Sequence, residues 1–360
     1  MLGYVIILQI LEGILNMRVY AEAKEAKEAY QLVKKLQTYF VDRLNEVSTK
    51  LGGKKECTAI EWERDKGRHG GGVRYETRDD TLFNRGSVNI SQVHYDDDID
   101  KKLSSATAIS TIIHPSNPHA PSMHMHISWT QMRDGKGYWR IMADLNPSLK
   151  NDTFKRKFKE ALKVSTDTYY KEGQEQGDKY FYIPALARTR GVSHFYLENF
   201  NTGYFEVDKT FAYQIGISVI DTYINIIMQA IKDHPTSTSQ EKSLQLDYHT
   251  LYLFQVLTLD RGTTSGLLVH DQNDVGIMGS IPSHVNRELL ASWISKVSKP
   301  QDALLLALLE ALPDELPTPV EDETKKKLAH AVRVHYKKYP KALDMQASGQ
   351  TIPTTVDNHN

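Results

Sequence analysis

Cysteine is almost missing from this chain. Cys57 is the only thiol among 360 residues. One thiol cannot make an internal disulfide, a thiolate zinc cage or an iron–sulfur site. It agrees with a reducing compartment, so a cytoplasmic location is expected. An excess of one charge is missing too: 44 Lys and Arg stand against 45 Asp and Glu, a net charge of −1. No nucleic-acid partner is expected on that balance, and any electrostatic site must be local. Long apolar runs are also lacking. Gly3 to Leu15 is largely apolar and is interrupted by Glu12, but a bilayer crossing takes about 20 residues. The stretch has neither the basic flank nor the small-residue cleavage site of a secretory signal. Residues 1–19 are therefore set apart as an apolar extension without stable membrane insertion, with Met17 as an alternative start and a membrane-surface anchor as the other reading. Several catalytic signatures do not occur. Gly70-Gly71-Gly72 lacks the Lys-Ser/Thr of a phosphate loop, and there is no HExxH or GxSxG.

What remains is an ordinary globular composition, 40% hydrophobic and 25% charged. Tyr30, Val33, Leu36, Phe40, Leu44 and Val47 recur at helical spacing, which predicts a helix over 21–47 ended by Gly52-Gly53. Residues 70–146 read as strand-rich. Helices are predicted over 152–170, 208–232, 284–297, 301–312 and 325–338, and a buried strand over 251–259. Strands and helices do not alternate as in a doubly wound parallel sheet. The expectation is one α+β domain over 20–300, with a large, mostly antiparallel sheet flanked by helices on both faces. A helical extension follows over 301–346, then a disordered tail over 347–360.

Residues 114–147 carry the most chemistry. After the turn-rich His114-Pro115-Ser116-Asn117-Pro118, Met123, Met125, Ile127 and Trp129 alternate with His124, His126, Ser128 and Thr130. Asp134-Gly135-Lys136-Gly137 makes a hairpin turn, and the return strand alternates as well. A two-residue turn would pair Trp129 with Arg140 and place His124 and Asp144 on opposite faces. One more loop residue, or a bulge, puts His124, His126, Arg140 and Asp144 on one polar wall. The second register is predicted. Arg188 and Arg190 around Gly191 suit carboxylate binding, since a guanidinium fork matches a carboxylate. Asp260-Arg261-Gly262-Thr263 is a third candidate. Pattern alone also admits plainer readings: a solvated sheet face, a surface turn, and a β-turn with an exposed arginine. His124 and His126 on one strand face could chelate a metal.

The ordered segments resemble the oxygen-dependent coproporphyrinogen III oxidase family. The likeness runs from Trp62 and Gly70-Gly71-Gly72-Val73-Arg74 through Val88-Asn89-Ile90-Ser91-Gln92-Val93-His94. Ser110 to His124 follows the family's HPxNPxxPxxH segment, and Asp144-Leu145-Asn146-Pro147 its DLTP. Tyr180 to Val192, Leu259 to Leu267 and Ser280-Ile281-Pro282 answer further motifs, so the likeness covers roughly 52–297 in order.

The resemblance implies a flat antiparallel sheet between helices, a homodimer, and oxidative decarboxylation of two propionates of coproporphyrinogen III to vinyl groups. Dioxygen is the co-substrate, and no organic cofactor is required. It implies His124, Asp144 and Arg190 as catalytic residues, with Asp144 facing the pyrrole N–H groups and His124 donating a proton. Ser110, His126, Ser128, Arg140, Arg188 and Arg261 are expected to bind substrate. Of the family's metal-associated histidines, His114 and His124 remain as the only candidates, so a metal is not expected.

Departures accompany the likeness. The family's Asn-x-Arg after the histidine is His126-Ile127-Ser128 here, and its glycine run before the aspartate is Arg140-Ile141-Met142-Ala143. Its Pro-His-Arg is Pro184-Ala185-Leu186, and its Gly-Gly-Arg is Asp271-Gln272-Asn273. Arg140 is expected to replace the lost cation from the neighbouring strand. The alternatives are a relative that binds a tetrapyrrole without oxidising it, and an oxidative enzyme for another carboxylated substrate.

Overall fold

The computed structural model describes residues 18–53, 56–79, 81–350, 356 and 359. The apolar N-terminal stretch up to Met17 and most of the expected disordered tail lie outside the described residues.

Alternating strands build the centre of the molecule. A first helix, α1 (Lys24–Lys50), precedes β1 (Thr58–Glu63), β2 (Gly70–Asp79), β3 (Phe83–His94), β4 (Leu103–Pro115), β5 (Ser122–Met132) and β6 (Gly137–Asn146). Then come α2 (Asp152–Thr166), α3 (Tyr170–Tyr180), the short pair β7 (Tyr182–Ile183) and β8 (Arg188–Thr189), and β9 (Val192–Phe200). The remainder is largely helical: α4 (Phe205–Asp233), α5 (Ser239–Thr258), α6 (Arg261–Val269), α7 (Asp274–Ile277), α8 (Arg287–Ala291), α9 (Gln301–Ala311) and α10 (Asp322–Lys338). Between them β10 (His284–Val285) pairs with β11 (Thr318–Pro319). The main sheet has seven strands in the order β1-β2-β3-β4-β5-β6-β9, each pair antiparallel. This is the α+β architecture expected.

The two faces of the sheet have different fates. Met123, Met125, Ile127 and Trp129 from β5, with Ile141, Ala143 and Leu145 from β6, are fully buried against α1, α2 and α4. The opposite face supplies Ser87, Asn89, Ala106, Ala108 and Ser110, which line a cavity instead of a core. A period of two in the sequence thus separates the packing from the site. α4 is long and apolar enough by composition to cross a membrane, yet it packs on the sheet with Ile215, Val219, Tyr223 and Ile227 in the core.

Three sequence expectations change. Residues 251–259, expected as a buried strand, belong to the helix α5. Every residue from Tyr248 to Thr258 is buried, because one side of α5 faces the cavity and the other packs on α8, α9 and α10. A helix buried all round shows no period-3.6 stripe, so an apolar run alone cannot separate it from a strand. The helix expected over 284–297 is shorter: β10 comes first, α8 has five residues, and a 3₁₀ turn follows at Ile294–Lys296. Within 152–170 the helix stops at Thr166 and a new one, α3, starts at Tyr170.

A second apolar core fills the space beyond α5. Leu304, Leu305 and Leu308 of α9 meet Leu328, Val332 and Tyr336 of α10 there, with Leu253 and Leu257 of α5.

Candidate active site

The β5–β6 hairpin sets the site. Gln131 pairs with Gly137, so the loop is longer than two residues, and His124 stands opposite Asp144 and Ser128 opposite Arg140. Met132 N–H donates to the Lys136 carbonyl at 2.7 Å, and Gly135 takes φ +85°, a conformation glycine adopts without penalty. The predicted register holds, and His124, His126, Ser128, Arg140, Met142 and Asp144 share one face.

Asp144 is fully buried at the back of this wall. One carboxylate oxygen lies 2.8 Å from His124 Nδ1. The other accepts from Arg190 Nη2 at 2.8 Å and from Asn146 Nδ2 at 2.5 Å. Burial alone would raise the carboxyl pKa. Arg190 and His124 outweigh it and hold Asp144 ionised well below the usual carboxylate range. An ionised carboxylate only accepts, so His124 carries its hydrogen on Nδ1 and leaves Nε2 to the cavity it lines. Asp144 is not among the cavity-lining residues. It is bonded to the lining residues His124 and Arg190; the family likeness implies that it faces the pyrrole N–H groups.

Arg190 is 2% exposed and lies between two aromatic faces, 4.7 Å from the Phe181 ring centroid and 5.0 Å from that of Tyr252. Gly191 makes this approach possible. Its φ is +69°, and a Cβ there would stand 2.5 Å from Asn146 Oδ1. Arg261 opens α6 and pairs with buried Glu198 on β9. Asp260 caps the same helix, accepting from the Thr263 N–H at 2.6 Å and from the Tyr180 hydroxyl at 2.7 Å. Both arginines line the cavity while already holding a carboxylate of the protein.

Arg140 also lines the cavity, close to the Tyr138 and Tyr196 side of the sheet. His126 sits beside it, Nε2 3.0 Å from Ser128 Oγ. Burial, with the charges of His124 and Arg140, pushes the His126 pKa down to about 3, so it is a neutral imidazole at neutral pH. Ser110 stands opposite His126 on β4 and lines the cavity floor.

Two expected site residues lie elsewhere. Arg188 is exposed on β8, its Nε 3.4 Å from the Thr189 carbonyl, and does not line the cavity. His114 is fully buried, bonded to Ser122 Oγ at 2.8 Å and the Ser280 carbonyl at 3.1 Å. It too lies outside the cavity lining. Among the described residues no group of three or more His, Cys, Asp or Glu is placed to hold a metal ion.

The cavity measures about 310 Å³, within the range of small-molecule sites. Its floor consists of short side chains, Ser87, Asn89, Ser91, Ala106, Ala108 and Ser110, over the two adjacent strands β3 and β4. Tyr180, Phe181, Tyr196 and Tyr252 form an aromatic wall. Apart from Ser110, the sequence reading missed this floor, although small residues at every second position of β3 and β4 carry the signal. It also missed Tyr252, Glu198 and Asn146, which became site residues only through the packing of α5, β9 and the end of β6. The described C-terminal residues approach the same region: Ala347 N–H donates to the Leu259 carbonyl at 2.9 Å, Gln350 N–H donates to Glu198, and His359 lines the cavity.

The comparisons with known proteins agree with the motif order. The family model described as coproporphyrinogen III oxidase matches residues 28–309. The rat protein named oxygen-dependent coproporphyrinogen-III oxidase, mitochondrial, is 27% identical over 287 residues, 73% of this chain and 62% of its own length. The protein named oxygen-dependent coproporphyrinogen-III oxidase of Rickettsia akari is 29% identical over 239 residues, 62% of this chain and 82% of its own. The Rickettsia africae protein of that name is 31% identical over 244 residues. The chain's match thus spans less than two thirds of the rat relative's length.

Proposed function

Because this chain belongs to the coproporphyrinogen III oxidase family, we propose that its cavity binds coproporphyrinogen III and converts two of its propionates to vinyl groups. Each propionate carboxylate loses carbon dioxide and one hydride equivalent, two electrons with one proton. For each side chain one dioxygen accepts those two electrons and, with that proton and one from solvent, leaves as hydrogen peroxide, and protoporphyrinogen IX is the final product. The electron-rich substrate reacts with dioxygen itself, so the protein's task is to hold, orient and shield it.

The observation that carries this reading is the floor of small side chains on β3 and β4 beside the basic wall of β5 and β6. A broad, flat ring system can lie on such a floor while cations at its rim meet the carboxylates. His124, fixed by Asp144, offers Nε2 for proton transfer at the reacting centre. Arg140 supports the reading from the strand opposite Ser128, supplying a cation within the cavity at the pair where the family arginine is lost. His126, Ser128 and Ser110 are the neutral groups of the same wall. A homodimer and a cytoplasmic location belong to this proposal.

One observation favours a second reading, a relative that binds the tetrapyrrole without oxidising it. Arg190 and Arg261 are committed to Asp144 and Glu198, which leaves fewer cations for propionates.

The test is anaerobic mixing of the protein with coproporphyrinogen III, then admission of air and chromatography of the products. A three-propionate intermediate followed by protoporphyrinogen IX is the expected result. Tight binding without product would select the second reading, and neither binding nor product would overturn both.

A further inference from the structure

One edge of the cavity is formed by the join between α6 and α7. His270, Asn273, Gly276 and Ile277 line the cavity from this stretch. The stretch is short of anchors of its own. α6 ends at Val269, and α7 is a four-residue helix starting at Asp274. The last carbonyls of a helix have no partner within it, and so short a helix is not stable by itself.

A single side chain from another element supplies both missing anchors. Arg333 of α10 donates from Nε to the Leu267 carbonyl in the last turn of α6, at 2.7 Å. From Nη1 it donates to Asp274 Oδ2 at 2.9 Å, and from Nη2 to the other oxygen of the same carboxylate. The guanidinium is planar and rigid, so bonding both partners fixes the distance between the end of α6 and the start of α7. Arg333 does not line the cavity. It grips the wall from behind, and α10 lies beyond the residues matched by the family model.

We infer that Arg333 is a positioning residue: through the Leu267 carbonyl and Asp274 it holds the α6–α7 edge in the shape that receives the tetrapyrrole. The inference rests on the proposed function for the identity of the ligand. The clamp itself does not depend on that identity. A mere packing role for Arg333 would be spread over α10, whereas the clamp acts on residues 267–277 alone.

The test compares the full chain with R333A, R333K and D274N. Hydrogen exchange should rise over residues 267–277 in R333A and D274N while β3 to β6 keep their protection. Titration with coproporphyrin III, the air-stable oxidised form of the substrate, should weaken in R333A by roughly ten- to a hundredfold. KM should rise by a similar factor, with kcat changed less. R333K keeps the charge but loses the fork, so it should fall between wild type and R333A. Unchanged exchange at 267–277 in R333A would overturn the clamp, even in a protein that turns nothing over. Raised exchange with unchanged coproporphyrin affinity and KM would overturn its positioning role. If R333A does not fold, D274N removes the carboxylate side of the clamp and decides the same question. Wild type that neither binds nor converts the tetrapyrrole would sink the proposed function, and the exchange data would still report on the clamp.

Discussion

The buried trio of His124, Asp144 and Arg190 shows how far side-chain spacing carries and where it stops. Alternation along two strands put His124 and Asp144 on one wall once the hairpin loop was given an extra residue, and they stand opposite each other. Nothing local announced that Arg190 would pair with Asp144, because the partner lies 46 positions away and arrives through β9 and the Gly191 turn. The sequence suggested Arg190 as a carboxylate ligand, and the likeness implied it as a catalytic residue. Its place between Phe181 and Tyr252, with Asp144 behind, makes it also part of the fold. Arg190→Ala should therefore lower unfolding stability by about 3–5 kcal/mol, since it strands an ionised, fully buried carboxylate. Urea denaturation would show this as a shifted midpoint. A variant as stable as wild type would mean that Asp144 is rescued by water or by protonation.

At the scale of elements, register was readable and helix identity was not always. A hairpin whose faces differ so sharply in polarity has one register that buries the apolar set. The cross-strand pair Ser128 and Arg140 follows from it, and it predicts a rescue. Arg140→Ala should reduce kcat/KM by roughly 2–4 kcal/mol in transition-state terms if it pairs with a desolvated propionate. Adding Ser128→Arg to that variant should restore part of the loss, because the new side chain starts from the opposite strand position on the same face. Steady-state kinetics of both variants would check this; a double variant no better than the single one would remove the exchange of roles.

α5 was misread because its recognisable end was overlooked. Thr238-Ser239-Gln240-Glu241 is a capping box: the Thr238 side chain accepts from Glu241 N–H and the Glu241 carboxylate from Thr238 N–H. That signal marks a helix start at Ser239, twelve residues before the apolar run begins at Leu251. Thr238→Ala should cost about 1 kcal/mol, read by thermal unfolding, and a null effect would mean that tertiary packing alone holds α5 in place.

Over the whole molecule, the α+β class and the antiparallel sheet were legible because they rest on summed periodicities, whereas the environment of each histidine was not. Fourteen histidines in the sequence are compatible with a surface as well as an interior. In the fold His114 and His249 are buried and His126 is half-buried in the cavity wall, and desolvation lowers the pKa of each, to about 3 for His126 and His249. An ordinary histidine titrates near 6.5. Between these values the unfolded chain binds protons that the folded chain refuses. Their contribution is thus complete above about pH 6.5 and is lost progressively as pH falls towards about 3, at about 1.4 kcal/mol per pH unit for each such imidazole. Acid should unfold the protein well above the range where its carboxylates titrate.

His249 isolates the effect, because it does not line the cavity and its Nε2 is buried without a partner. His249→Leu removes both the refused proton and the unpaired nitrogen. Its stability relative to wild type should rise steadily as pH falls from 6.5 to 4, measured by urea unfolding at several pH values. A difference that stays constant with pH would show that His249 takes up its proton in the folded state, through a rearrangement of α5 against the sheet.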